Sequence, residues 1–207
     1  MASDRQKADG EHRKVNMLEL FIMGELMDGP HHGYLLRDIL SRVFAPFRQF
    51  SWGTLYPLIG QLERSGYIEL IDGGERSPCE EKPHGRQKRN FGITDAGRAR
   101  FQVLMLANSE YTADFPELLT VKLLYLRWLT PTQQLAVLEH SRGYFVQTRD
   151  YCLQAFTAQS PSAHLPAEAR EQIYRIVNFR LSGTQAQLSW IEGEIARRRM
   201  ALDTMIP

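Results

Sequence analysis

The chain has 207 residues and two cysteines, and its 25 lysines and arginines against 24 acids leave a net charge of +1. With 43% apolar residues it can bury a sizeable core, yet no run reaches the ~18 apolar residues of a membrane span and no secretory signal opens it. Cys79 and Cys152 are far apart in the sequence and fit no metal-ligand spacing; they suggest a reducing compartment and no disulfide framework, so a cytoplasmic protein without a membrane partner is expected.

Residues 1–14 are polar and lack apolar periodicity, and they read as a disordered arm. A first helix runs from about Val15 to Met27, with Leu18, Phe21, Ile22 and Leu26 at helical spacing and Glu25 as the exception. Asp28-Gly29-Pro30 stops it. A second helix starts at His32 or Gly33 and carries Leu35, Leu36, Ile39, Leu40 and Val43 on one face until about Phe44. Pro46 blocks continuation. The third helix turns Leu55, Leu58, Ile59 and Leu62 inward and leaves Trp52, Tyr56, Pro57 and Gln61 on the other side. Two caps are open. If Ser51 is the N-cap, Pro57 lies in the second turn and removes a donor there. If Thr54 is the cap, Pro57 falls in the first turn and costs little. Ser65-Gly66 closes the helix.

Tyr67–Ile71 is strand-like, a polar stretch runs from Asp72 to Lys88, and Arg89–Ile93 returns as a second strand. The result is a hairpin with an unusually long loop. Thr94 caps another helix with Phe101, Leu104 and Met105 inward. Beyond Pro116 the pattern is almost wholly helical. Glu117–Leu129 is leucine-rich, Thr130-Pro131 opens a helix with Leu135, Leu138, Phe145, Cys152 and Phe156, and a loop with Pro161 and Pro166 follows. The last helix spans about Ala167 to Met200. Its Ile173, Val177, Leu181, Thr184, Leu188, Ile191 and Ile195 step by four and three, a heptad seam. A second subunit or the chain's own helices can cover such a seam. The first alternative makes Ile173, Val177, Leu181, Leu188, Ile191 and Ile195 a homodimer interface.

Helix, helix, turn, helix, hairpin, helix is the order of a winged helix-turn-helix. The expected fold is therefore mainly α: an N-terminal winged helix-turn-helix with a β-hairpin wing (residues 15–110), then an all-helical dimerisation domain (residues 111–207). A helix presented to the major groove reads base edges, and the preceding helix props it on the backbone. Ser51, Trp52, Thr54, Tyr56 and Gln61 offer hydroxyls, rings and an amide for such contacts. Lys82, Arg86, Lys88 and Arg89 form an acid-free basic strip on the hairpin suited to phosphates. Double-stranded operator DNA is the implied partner, and a homodimer implies a palindromic site. Trp52 can alternatively pack on the hairpin, and Tyr34 and Tyr56 can be core aromatics.

The residues also carry a resemblance. Gly29-Pro30-His31-His32-Gly33-Tyr34-Leu35-Leu36, Gly53-Thr54-Leu55-Tyr56-Pro57-Leu58 with Leu62-Glu63, and Gly85–Gly97 around Lys88-Arg89-Asn90-Phe91 are similar to the PadR family of transcriptional regulators. The similarity covers about residues 18–105, and the C-terminal helices resemble the branch with the larger C-terminal domain. It implies a DNA-binding repressor with Ser51, Thr54, Tyr56 and Pro57 on the recognition helix, Tyr34 at a phosphate, and Arg86, Lys88 and Arg89 on the wing. It also implies release by a small aromatic or hydrophobic effector, for which Tyr125, Trp128, Tyr174, Phe179 and Trp190 supply rings. Asn90 departs from the family's tyrosine, and the wing tip Gly73–His84 is longer than usual.

Enzyme chemistry is not supported. The six histidines show no metal-ligand spacing, and no nucleophile or phosphate-loop motif occurs. No cofactor and no metal are expected. The competing class is a helical adaptor that dimerises without binding DNA.

Overall fold

Asn16 accepts hydrogen bonds from the backbone of Leu18 (3.0 Å) and Glu19 (3.3 Å) and so caps helix α1, Met17–Leu26. In the computed structural model, which describes residues 15–46, 48–71, 89–157 and 160–204, every residue of α1 from Leu20 to Leu26 is buried. A helix apolar all round belongs at a centre. Around it lie β1 (His31–His32), α2 (Gly33–Val43), α3 (Trp52–Arg64), β2 (Ile68–Ile71), β3 (Asn90–Ile93), α4 (Asp95–Leu106) and α5 (Phe115–Leu124). α1 touches α2, α3, α4, α5 and β3. The described residues are mainly helical with one small antiparallel sheet.

Glu25, the exception in the apolar pattern of α1, is buried with a purpose. The Tyr125 hydroxyl donates to Glu25 Oε1 at 2.7 Å and lies 3.1 Å from the Phe21 carbonyl. A buried carboxylate needs such a donor. Gly24 makes room for the ring, because a Cβ there would overlap Tyr125. The leucine-rich segment breaks at Tyr125, which ends α5; a short 3-10 turn, Leu126–Trp128, follows. The first compact unit extends to Tyr125, so the expected change of domain at residue 110 falls inside it. The reason is that α5 packs on α1.

Among the described residues the sheet has three strands, not two. His31 and His32 pair with Phe91 and Asn90, and β2 pairs with β3 on its other side in the order β1-β3-β2. Two residues between Pro30 and a helix start show no periodicity, so no sequence pattern reveals β1. His32 also caps α2: its Nδ1 accepts from Leu35 N at 3.0 Å. Gly66, with φ +71°, turns the chain out of α3. Thr94 then joins that turn to α4, accepting from Gly97 N (3.0 Å) and donating to the Gly66 carbonyl (2.7 Å).

The second unit, Leu126–Pro207, is built on α6 (Pro131–Gln154) and α7 (Ala167–Asp203), with a 3-10 turn at Pro161–His164 between them. Thr130 and Gln133 close a capping box at the start of α6. α6 buries Val137, Leu138, Ser141, Phe145 and Cys152 against Leu181, Thr184, Leu188, Ile191 and Ile195 of α7. Arg142–Glu192 (3.0 Å) and Arg199–Glu139 (2.6 Å) bridge the two helices as an antiparallel pair. The ion pairs are exposed and contribute only ~0.2–1 kcal/mol each. Burial of each apolar side chain contributes ~1.5–3 kcal/mol. The heptad seam is thus covered within the chain: Leu181, Leu188, Ile191 and Ile195 face α6, and Ile173 and Val177 are half-buried. Phe156, expected on the inward rhythm of α6, is exposed.

Candidate nucleic-acid interface

Helix α3 begins at Trp52 with Ser51 as N-cap, which settles the choice of cap. Ser51 makes no cap bond to the backbone; its Oγ instead lies 3.0 Å from Thr54 Oγ1. Pro57 therefore stands inside the helix and leaves the Gly53 carbonyl without its helical donor. Leu55, Ile59 and Leu62 are buried, and Leu58 is only half-buried. Thr54, Pro57 and Gln61, at steps of three and four, form the outward face and are exposed.

A flank of α3 carries the aromatics. Tyr56 is 48% exposed and Tyr34, at the start of α2, 56% exposed, so neither is a core ring. Trp52 is half-buried, and among the described residues its ring and cation partners lie on α2 and α3. Tyr34 meets it edge-on at 4.6 Å, Tyr56 stacks on it at 4.9 Å, and the Arg37 guanidinium lies 4.5 Å from its centroid. Each such pair contributes ~0.5–1.5 kcal/mol. Arg37 in α2 has no sequence signal for this role, because Arg37 and Trp52 come from different helices. These rings, with Phe91 and Arg89 of the returning strand and Glu63 of α3, line an open cleft of about 600 Å³. Arg89 is exposed and bonds Glu63 Oε1 at 3.1 Å. Lys82, Arg86 and Lys88 lie outside the described residues.

The first unit thus has the parts of a winged helix-turn-helix: a central apolar helix, a supporting helix, an exposed helix and a sheet that brings Arg89 beside it. Residues 22–103 match the Transcriptional regulator PadR-like family. This segment is a PadR-like domain. The match covers α2, α3, β2 and β3 and most of α1 and α4. No curated protein sequence matches the chain. Among solved structures, Bacillus subtilis PadR in complex with operator DNA is similar at 15% identity over 88% of this chain and 99% of that one, with TM-score 0.39. The same protein in complex with p-coumaric acid gives 15%, 89%, 99% and 0.37. A PadR-like transcriptional regulator from Bacillus cereus, BC1756, gives 18%, 89%, 99% and 0.34. The family assignment rests on residues 22–103 and not on these similarities.

Within the PadR-like domain, Tyr34, Ser51, Trp52, Thr54, Tyr56, Pro57, Gln61 and Arg89 all lie on α3 or on the elements beside it. Among the described residues no group of histidines, cysteines and acids is placed to hold a metal ion, and no helix is long and apolar enough to cross a membrane. Cys152, in the other unit, is a buried free thiol.

The second unit has its own exposed surface. α7 carries a second stripe, roughly opposite the seam that faces α6: Ile176, Phe179, Gly183, Ala186, Trp190 and Gly193, at steps of three, four, three, four and three. Ile176 is 61% exposed, Phe179 85% and Trp190 49%, and a Cβ at Gly183 would meet only open space. Of the rings that the resemblance implies for an effector, Tyr125 is buried on α1 and bonded to Glu25, while Tyr174 packs on Phe156 at 5.1 Å.

Proposed function

We propose that the protein is a homodimeric transcriptional repressor that seats α3 in the major groove of a palindromic operator. The observation that carries this reading is the outward side of α3. A helix with Leu55, Ile59 and Leu62 buried turns hydroxyls, an amide and a half-exposed tyrosine to solvent, the groups that meet base edges and phosphates. Arg89, and the wing cations Lys82, Arg86 and Lys88, supply phosphate contacts in this reading. Tyr34, at the start of the supporting helix, supplies another.

The homodimer is supported by the second stripe of α7. Laid antiparallel on a copy of itself, it is self-complementary: Gly183 meets Ala186, Phe179 meets Trp190 and Ile176 meets Gly193. Small residues at the crossing let two helices approach, and a two-fold contact must pair in this reciprocal way. The seam from Leu181 to Ile195 is filled by α6 and is not needed for it. A dimer of this kind presents two copies of α3 to two half-sites. Release by a small aromatic or hydrophobic effector belongs to the same proposal. The ring-lined cleft beside α3 supports it, since a ligand there would overlap the surface offered to DNA.

The test is selection of duplexes by the protein from a randomised pool, followed by binding and in vitro transcription on the selected site. The reading predicts an inverted-repeat site, two chains bound per site, and reduced transcription. A protein that selects no sequence and shows no salt-dependent DNA binding is the helical adaptor instead.

A further inference from the structure

Glu63 lies in the last turns of α3, on the flank that faces β3. Its Oε1 accepts from Arg89 Nη2 at 3.1 Å, and the Arg89 guanidinium also lies 5.6 Å from the centroid of Phe91. The pair is open to solvent, with 59% of the Arg89 side chain and 34% of Glu63 exposed. A carboxylate on the flank of a helix meant for a polyanion is unfavourable by itself. Here it stands on the one described cation of the wing strip.

We propose that Glu63 is a specificity-determining residue that holds Arg89 as its counter-ion until the correct DNA is seated. The inference rests on the DNA-binding reading above. An exposed ion pair is weak and is exchanged readily. In loose, non-specific association a phosphate must displace the carboxylate, and trading one ion pair for another gains little. When α3 sits fully in its groove, a phosphate is brought within reach of the fork of Arg89, and a charge-assisted bidentate contact replaces the bond to Glu63. Specificity is a difference of affinities, so a restraint that penalises the wrong DNA serves it as well as a contact that favours the right one.

The test uses the full-length chain with Glu63→Gln, Arg89→Ala and the double variant, each measured on a random-sequence duplex and on the selected duplex across a salt series. Circular dichroism melts check folding, which this surface pair should not change. Glu63→Gln should tighten the random duplex more than the selected one. Its salt slope on random DNA should steepen by about 0.9 for each arginine freed. Its gain over wild type should then be about three- to fourfold larger at 50 mM than at 200 mM salt for each such arginine. Arg89→Ala alone should weaken the selected duplex more than the random one, and the double variant should behave as Arg89→Ala. A gain that survives in the Arg89→Ala background would show only general charge removal and overturn the proposal. So would a Glu63→Gln protein with unchanged slope and unchanged preference. If the wild type binds neither duplex, the DNA-binding reading fails and takes this inference with it.

Discussion

Helices α3 and α7 are built alike and dressed differently. Each buries one apolar stripe against its own unit: Leu55, Ile59 and Leu62 in α3, and Leu181 through Ile195 in α7. Each leaves the other side to solvent. The free side of α3 is Thr54, Pro57 and Gln61 with Tyr56 on its flank, whereas that of α7 is Ile176, Phe179, Ala186 and Trp190. Hydroxyls and amides lose little in water and gain direction from a hydrogen-bonding partner. Exposed Phe179 and Ile176 gain most from an apolar one. The difference in chemistry, on the same geometry, is what the proposal rests on when it gives one helix to nucleic acid and the other to a second copy of the chain.

The largest effect should come from the covered side of α7. Ile191 is fully buried against α6, so Ile191→Asp should destabilise the helical pair by ~4 kcal/mol or more, through a lost apolar group and a buried charge. Chemical denaturation measures it. A variant that keeps its stability and merely dissociates would put the dimer contact on the wrong side of the helix.

The free side should answer in the opposite way. Phe179→Asp should keep the fold and its melting temperature while weakening self-association by about a hundredfold, as a central interface aromatic does. Sedimentation equilibrium decides: a dimer of unchanged affinity would remove the second stripe from the proposal.

A third test concerns the unit that carries α3, which holds a feature with no described counterpart in the unit that carries α7. Lys122 is buried, donates to the Ala107 carbonyl at 2.8 Å, and burial pushes its amine down from 10.5 to about 8. The unfolded chain therefore binds more protons than the folded one between about pH 8 and 10.5, and this group's contribution to stability rises with pH across that window. Below pH 8 the full penalty, about 3 kcal/mol, is present. Lys122→Met removes the titration and loses the bond to Ala107 at every pH. Relative to wild type, the variant should be about 2–3 kcal/mol better placed at pH 7 than at pH 10. Equal differences at both pH values would show that the amine stays charged in the fold.

The smallest expected effect lies on α3. Tyr56→Ala should leave stability nearly unchanged and weaken the selected duplex by ~1–2 kcal/mol, with less loss on random DNA. Anisotropy titrations on both duplexes check it. An equal loss on both would make Tyr56 a phosphate contact.

Some of this was legible in the residues. Period and punctuation placed α2 and α3 nearly to the residue, because Gly33, Ser51 and Gly66 act locally. The Thr94 cap and the Thr130-Pro131 start of α6 follow from the same short-range chemistry. The outward side of α3 is legible at Tyr56 and Gln61, since burial of Leu55 and Leu62 leaves those positions no other side. Trp52 was not readable in this way, because a half-buried ring can turn toward several neighbours.

What the sequence by itself determined is local: where helices start and stop, which residues share a stripe, and the short motifs of the PadR-like domain. The tertiary structure decided which stripe is taken. The α7 seam satisfies the heptad rule equally well for a partner helix in the same chain or in another, and only the packing of α6 against it assigns the first. It likewise decided that Glu25 meets Tyr125, that His31 and His32 complete a sheet with residues near position 90, and that Arg37 covers Trp52. Each of these depends on chain segments brought together from afar, and the periodicity of a single segment holds no record of what will pack on it.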